Sequence, residues 1–289
     1  MKKILKIAVC THKDAYIPQV DSYIPIFVGS EFKDAIPEGL TPDNTGENIS
    51  RLNHMYCELT GLYWLWKNQN ADYYGLCHYR RYFSFRNPQY IYAIIEVVKH
   101  YIGHILFSML NINKNGMYYP YSYMITSKKG LEASAICFEN DFYHFVMDNP
   151  NYKVFALKPM DCGKMSNYIH FSTVAGKYHI DVLKTIVHNK YPEMSNAIDI
   201  TLSSNKLYYA NMTIMTKDIF DDYCKYIFGV LKDYNKYIID NKYYTCNNEY
   251  SLSRVSGYMG ELLTSSYITY LKNTGTRIKF LNQVQYSEV

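Results

Sequence analysis

Four polar side chains, His78, Tyr79, Arg80 and Arg81, follow directly after the short apolar run 73–77. A run of that length and composition is typical of a buried strand. Ligand sites of open α/β sheets lie beyond the carboxyl ends of their strands. The guanidinium groups of Arg80 and Arg81 can each donate two parallel, charge-assisted hydrogen bonds to a phosphate. The sequence therefore predicts an anion site here. The alternative is a basic surface turn packed on tyrosines.

A second polar segment, Thr11, His12 and Lys13, follows the apolar run 3–10, which we predict to be the first strand. Polar residues just past the first strand of an α/β sheet are well placed to contact a nucleotide. An ordinary exit from a strand into a loop would use the same residue types. This segment alone does not separate the two interpretations.

A carboxylate and an arginine share one face of the predicted last helix, 253–271. Arg254, Tyr258 and Glu261 are spaced by four and three residues, which places them on the same side of a helix. A carboxylate held beside an arginine stays ionised at neutral pH, as a general base must be. The pair is therefore a candidate for acid–base chemistry, and a structural ion pair is the alternative.

Residues 41–50 are dense in side chains that hydrogen-bond a backbone or a ligand hydroxyl. Ser50 or Asn48 is predicted to cap the helix that follows. The apolar residues of that helix repeat at spacings of three and four: Leu52, Met55, Leu59, Leu62 and Trp66. Asn53 lies one turn in, where a helix start can help to hold an anion. A simple cap or solvent contact is the alternative for Asn53.

Further strands are predicted at 23–28, 154–157 and 208–215, and further helices at 131–147, 178–190 and 217–234. Strands that alternate with helices indicate one α/β domain with insertions. Residues 91–110 form an apolar helix candidate that carries several charges. Such a helix lies either on a membrane interface or in the protein with one solvated side.

The composition narrows the class of protein. The chain has 289 residues, of which 48% are hydrophobic, so it can bury a large core. Its net charge of +4 suits a partner that carries phosphate but does not require nucleic acid. The seven cysteines contain no C-x-x-C pair, which argues for reduced thiols in a cytoplasm and against a zinc site. No signal peptide and no membrane-spanning run is expected.

Several of these stretches together resemble the DUF4422 family. They are residues 11–13, 44–50, 56–60 with 63–68, 75–83, 211–215 and 254–263. The family consists of bacterial glycosyltransferases from capsule, exopolysaccharide and O-antigen clusters, and some members are assigned galactosyl or galactofuranosyl transfer. The resemblance is close over 3–85 and looser over about 150–270. Residues 86–150 depart from the family pattern.

The resemblance implies an α/β fold of the GT-A-like (Rossmann-like) type. It would be one domain over 1–289, with a mostly parallel central sheet flanked by helices. The donor-nucleotide half would cover about 1–85, a helical insertion about 86–150 and the acceptor half about 151–289.

The resemblance also implies roles for individual residues. Thr11, His12 and Lys13 would contact the uracil or ribose of the donor, Asp43, Asn44, Asn48 and Asn53 would face the donor, and His78, Arg80 and Arg81 would contact its diphosphate. Asn211, Met212 and Tyr258 would lie on the acceptor side. Glu261, oriented by Arg254, is the expected catalytic base, with Asp181 and then Asp161 in reserve.

One departure from ordinary GT-A enzymes concerns the metal. Those enzymes usually carry Asp-x-Asp after the corresponding strand, and this sequence contains no Asp-x-Asp. The segment 78–81 occupies that position, and two fixed positive charges can stabilise a departing diphosphate much as a metal does. We therefore expect no metal or other cofactor to be required, and an inverting, one-step transfer.

The expected partners follow from the resemblance. They are a UDP-galactose-type donor, a lipid-linked oligosaccharide acceptor and, through 91–110, a peripheral contact with the inner membrane face. Two alternatives remain open. Arginines 80, 81 and 86 alternate with aromatic rings, as in a module that binds single-stranded nucleic acid, and a non-catalytic scaffold of a polysaccharide assembly complex would also fit.

Overall fold

The structure, a computed structural model, describes residues 3–86, 122–241 and 254–287. Its strands are β1 (Leu5–Thr11), β2 (Tyr23–Phe27), β3 (Thr41–Pro42), β4 (Tyr73–His78), β5 (Arg81–Ser84), β6 (Ser122–Ile125), β7 (Val154–Leu157), β8 (Met160–Asp161), β9 (Lys206–Leu207), β10 (Thr213–Thr216) and β11 (Ile278–Tyr286). Its helices are α1 (Asn53–Tyr56), α2 (Leu59–Asn68), α3 (Lys128–Asp148), α4 (Asn167–Val174), α5 (Lys177–Lys190), α6 (Ser195–Ser203), α7 (Lys217–Asp240) and α8 (Val255–Asn273). Short 3-10 helices cover Ser30–Phe32, Ser50–Leu52 and Pro192–Met194.

Within these residues the main sheet has nine strands in the order β10–β7–β11–β5–β4–β1–β2–β3, with β6 paired to β11. Strand pairs β1–β2, β1–β4, β2–β3, β6–β11 and β7–β11 are parallel, whereas β4–β5, β4–β10, β7–β10 and β5–β11 are antiparallel. The sheet is therefore mixed, and the expectation of a mostly parallel sheet was wrong. Short apolar runs predict that strands exist but not the direction in which they pair.

Part of this sheet closes on itself. Strand β10 pairs with both β4 and β7, so that β4, β5, β11, β7 and β10 form a ring. The parallel strands β1, β2 and β3 extend outward from β4. Closure removes unpaired strand edges within the ring. The carboxyl end of β4 therefore lies where the closed and the open parts of the sheet meet.

Two predicted elements are interrupted by residues with positive φ. The helix expected from residue 50 is broken at Cys57, whose φ of 50° separates α1 from α2. The strand expected at 208–215 is confirmed only for its end, because Ala210 and Asn211 have φ of 61° and 54° and β10 begins at Thr213. Such conformations cost of order 1–3 kcal/mol each and persist where the surrounding structure enforces them.

The remaining helices complete the core. Helix α8 packs on α1, α6 and α7. Helix α3 lies against the sheet through Phe138 and Phe142, whose rings contact Phe83 and Phe155. The helix candidate at 91–110 lies outside the described residues. Among the residues that the structure does describe, no helix has the length and apolar character needed to cross a bilayer.

Candidate active site

The two polar segments singled out in the sequence meet at one edge of the sheet. Strands β1 and β4 are parallel neighbours with Cys10 opposite His78, so both end at the same edge. Strand β2 ends there too, with Phe27 opposite Thr11. Residues 79 and 80 form a two-residue turn into β5, in which Arg81 pairs with His78. The parallel pairing of β1 with β4 thus places segments 11–13 and 78–81 side by side.

The ring of Tyr79 is the centre of a cluster of basic groups. The imidazole of His12 packs edge-on against it at a centroid distance of 5.7 Å. The Nζ atom of Lys13 lies 5.5 Å and the guanidinium carbon of Arg80 lies 5.1 Å from the ring centroid. Cations within about 6 Å of an aromatic face are attracted by its quadrupole. Tyr79 therefore holds two flexible cationic side chains near the strand ends.

The electrostatics of His12 show that this edge is positive. Burial lowers the pKa of His12, and the positive charges of Lys13, Arg254, Arg80 and Lys33 lower it further. The imidazole is therefore neutral at neutral pH, and the positive charge belongs to the lysines and arginines. Several cations directed at one region create a potential that attracts an anion.

Behind this edge, the peptide of Ala210 joins β4 to α8. Its N–H donates to Glu261 Oε1 at 3.1 Å. Its carbonyl lies 2.8 Å from His78 Nε2. Because a carbonyl oxygen only accepts, the His78 proton lies on Nε2, and Nδ1 keeps its lone pair. Burial lowers the pKa of His78 although the negative charge of Glu58 acts in the opposite direction, so the ring is neutral at neutral pH.

The side chain of Asn211 joins α8 to the junction between α1 and α2. It is fully buried. Its Nδ2 donates to Glu58 Oε1 at 2.8 Å, and its Oδ1 accepts from Thr264 Oγ1 at 2.8 Å. Both ends of the amide are therefore used inside the protein. The neighbouring Met212 is also buried, with 2% of its surface exposed.

Glu58 reaches this position because the chain reverses at Cys57. A β-carbon placed on Gly260 would lie 2.6 Å from Leu59 Cδ1, so a larger residue here would require the Leu59 side chain to shift. Glu58 precedes Leu59 and Glu261 follows Gly260 in the chain. The two carboxyl groups accept hydrogen bonds from successive residues, Glu261 from the Ala210 N–H and Glu58 from Asn211 Nδ2.

Glu261 has an altered protonation equilibrium. Burial, followed by the negative charge of Glu58, raises the pKa of Glu261 to about 7. The Ala210 N–H, Arg81 and Arg254 act in the opposite direction and do not compensate. The expectation that Arg254 keeps this carboxylate firmly ionised was therefore wrong. Glu261 instead exchanges a proton near neutral pH, which is the range that suits a general acid or base.

Arg254 lies at the start of α8, beside Tyr258. Its guanidinium carbon is 6.0 Å from the Tyr258 ring centroid. Arg254 is exposed and Tyr258 is half-buried. Arg254 is the N-cap of α8, and Tyr258 and Glu261 lie on its first two turns, so the expected spacing along one helix is observed.

Asp43 is fully buried and does not reach the surface of this edge. Its Oδ1 accepts from Ser30 N at 3.0 Å and Ser50 Oγ at 2.5 Å. Its Oδ2 accepts from Gly29 N at 2.9 Å and Thr60 Oγ1 at 2.6 Å. The carboxylate thus ties the loop after β2 to the segment that leads into α2. In this arrangement it organises the loops beside the site.

Two of the three asparagines expected to face the donor make local hydrogen bonds. Asn48 Oδ1 accepts from Ser50 N at 3.2 Å, which supports the start of a 3-10 helix. Asn53 Nδ2 donates to Cys57 O at 2.8 Å and so closes α1. Asn44 is exposed. Their contact with a donor stays a prediction.

The reserve carboxylates lie in other surroundings. Asp181 on α5 is hydrogen-bonded by Tyr168 of α4 at 3.0 Å. Asp161 on β8 pairs with Lys206 of β9 and accepts from Gly163 N at 2.8 Å. Neither shares the Ala210 contacts that join His78 to Glu261.

Sequence reasoning missed Glu58, Tyr79 as a ring platform and the turn at Ala210. The aromatic residue inside the basic segment was a usable signal for Tyr79. Glu58 was hidden because its neighbours continue an apolar helical stripe. In the described ranges, no group of three or more His, Cys, Asp or Glu side chains is arranged to hold a metal ion.

Comparison with known proteins gives two matches. The model of the family described as a domain of unknown function, DUF4422, matches residues 6–273. The apo structure of a WbbM bifunctional glycosyltransferase is similar, with a TM-score of 0.78 and 27% sequence identity over 99% of this chain and 46% of that chain. The chain thus spans about half the length of that protein. No curated protein matches the chain at a significant level.

Proposed function

The chain belongs to the DUF4422 family, and we propose that it is a GT-A-like glycosyltransferase of bacterial polysaccharide synthesis. It transfers a hexosyl unit, galactose or galactofuranose, from a UDP-sugar to a lipid-linked oligosaccharide. The observation that carries this proposal is the positive edge at the ends of β1 and β4, directly beside a glutamate that exchanges a proton near neutral pH. The similarity to the WbbM bifunctional glycosyltransferase supports sugar transfer in general.

The positive edge suits the donor diphosphate. Arg80 is exposed beside Tyr79, and Arg81 is half-buried and close enough to lower the pKa of both His78 and Glu261. In the proposal, Arg80 and Arg81 donate hydrogen bonds to the phosphate oxygens and stabilise the negative charge that develops as the bond to the sugar breaks. The segment 11–13 lies on the nucleoside side.

Glu261 is the proposed base. The acceptor hydroxyl oxygen attacks the anomeric carbon, the nucleoside diphosphate leaves with the electron pair of the C–O bond, and the hydroxyl proton passes to Glu261. A base with a pKa near the working pH is effective because it is both available in its charged form and able to take the proton. His78, neutral and held by Ala210, offers Nδ1 as a further acceptor beside it.

The arginines supply fixed positive charge, so the proposed transfer requires no divalent metal. The test is UDP release in the presence of a chelator. We expect an unchanged rate, and a rate that falls in chelator and returns with manganese would contradict the proposal.

The proposed place of action is the cytoplasmic face of the membrane, where the acceptor lipid is anchored. The contact assigned to 91–110 lies outside the described residues and stays a prediction. Flotation of the protein with anionic liposomes tests it, and recovery only at the bottom of the gradient would end the idea.

A donor panel tests the function itself. UDP release is measured with UDP-galactose, UDP-galactofuranose and UDP-glucose, together with thermal shift by UDP and by a short oligonucleotide. We expect UDP to stabilise the protein and one galactosyl donor to be consumed. Stabilisation by the oligonucleotide alone would favour the nucleic-acid alternative, and no shift with any ligand would favour a scaffold.

A further inference from the structure

Glu58 takes no part in the mechanism above, yet it is fixed against the proposed base. Its Oε1 accepts a 2.8 Å hydrogen bond from Asn211, while the preceding residue, Ala210, donates to Glu261. The two carboxyl groups are thus hydrogen-bonded to two successive residues that both have a left-handed backbone. Left-handed backbone at non-glycine residues is costly and is concentrated at functional sites.

The packing around this turn keeps the carboxyl groups together. Leu59 lies against Gly260, where a β-carbon would come within 2.6 Å of it. Cys57 lies against Gly257, where a β-carbon would be 3.4 Å from the cysteine sulfur. The α1–α2 junction thus packs directly on α8: at Gly260 a side chain would require Leu59 to shift, whereas at Gly257 a β-carbon would make an ordinary contact.

We propose that Glu58 is a positioning residue for Glu261: its carboxyl group, held by Asn211 beside the Ala210–Glu261 hydrogen bond, makes Glu261 a stronger base than an isolated glutamate. Two carboxyl groups placed close together do not both ionise readily, because the second negative charge is repelled by the first. The inference rests on the proposed function only in taking Glu261 as the catalytic base.

The other groups that face Glu261 do not supply this negative charge. His78 on β4 is neutral. Burial raises the pKa of the Cys57 thiol to about 11, so it is neutral as well. Arg81 on β5 and Arg254 at the start of α8 are positive and favour the ionised carboxylate. Glu58 is thus the group in this set whose charge retains the proton.

The test is Glu58→Gln, which keeps an oxygen to accept from Asn211 and removes the charge. The exposed Glu38→Gln is the matched control. The first readout is the titration of the Glu261 carboxyl carbon by NMR without any substrate, assigned through Glu261→Gln. The second is the pH profile of UDP release with the donor selected from the panel.

We expect the Glu261 titration in Glu58→Gln to move to lower pH by roughly one unit, with the acid limb of UDP release following it. Glu38→Gln should titrate as the wild type does. An unchanged Glu261 titration in Glu58→Gln would overturn the proposal, whether or not UDP release is lost. If the wild type releases no UDP, the proposed function fails, and the NMR titration still decides this inference.

Discussion

The family resemblance implies that Asp43 faces the donor, whereas the structure shows Asp43 holding loops together. Replacing Asp43 by asparagine distinguishes these two roles. The carboxylate is fully buried and accepts four hydrogen bonds, two at each oxygen. Asparagine turns one oxygen into an amino group. One backbone N–H and one hydroxyl then lose their acceptor, and only the hydroxyl can rotate to accept instead.

The magnitude follows from this count. A buried N–H left unpaired costs about 1–3 kcal/mol, and bonds to a charged acceptor are stronger by about 1 kcal/mol than neutral ones. The sum is a loss of about 2–4 kcal/mol in the free energy of unfolding. For a chain of 289 residues that corresponds to a fall in Tm of roughly 3–7 °C.

Thermal unfolding by circular dichroism measures this loss, with the exposed Asp34→Asn as the control. We expect Asp43→Asn to lower Tm by this amount and Asp34→Asn to change it by less than about 1 °C. The shift produced by added UDP is measured on both variants. If Asp43→Asn keeps the wild-type Tm but no longer responds to UDP, the carboxylate contacts the ligand and the structural reasoning is wrong.

Four further predictions concern the site and its support. Arg80→Ala should abolish UDP release with little change in Tm, whereas the control Arg86→Ala should retain UDP release. Full activity in Arg80→Ala would refute the proposed role of Arg80. Glu261→Gln should bind donor without transfer. Because folding raises the pKa of Glu261 to about 7, the folded wild type holds a proton that the unfolded chain releases between its ordinary pKa and 7. The free energy of unfolding of the wild type should therefore fall by up to about 3 kcal/mol as pH rises through that window. The Tm of Glu261→Gln should exceed the wild-type Tm by more at pH 8 than at pH 5. An equal difference in Tm at the two pH values would contradict this. Gly75→Ala should lower the free energy of unfolding by about 1–3 kcal/mol through overpacking, since the added β-carbon would lie 2.7 Å from Ile214 Cγ1. An unchanged Tm would show that the neighbouring strands adjust freely.

The proposed roles divide the site into two parts with different chemistry. The outer edge, around Tyr79, is exposed and cationic, so substitutions there should change ligand binding more than folding. The inner part, around Ala210 and Asn211, is enclosed and joined by hydrogen bonds. Substitutions there act on stability and protonation together, and for this reason the tests combine unfolding with a titration.

The sequence by itself determined the features that depend on neighbours along the chain. Apolar runs predicted β1 and β4, and the polar residues that follow these strands lie at one edge of the sheet, where the ligand site stays a prediction. Spacing of four and three residues placed Arg254, Tyr258 and Glu261 on one helix, observed as Val255–Asn273 with Arg254 as its cap. The motif resemblance to DUF4422 was also confirmed. These signals survive because strand and helix periodicities are local.

Only the tertiary structure decided how those pieces act together. Closure of the ring makes several strand pairs antiparallel, where parallel pairs were expected. Asp43, expected to face the donor, is fully buried. The left-handed turn at Ala210 and Asn211 contains no glycine, so the sequence did not predict it. Asn211 is held by a hydrogen bond to Glu58, 153 residues away in the chain. The pKa of Glu261 depends on the same long-range packing, because desolvation and the charge of Glu58 exist only once the segments are brought together.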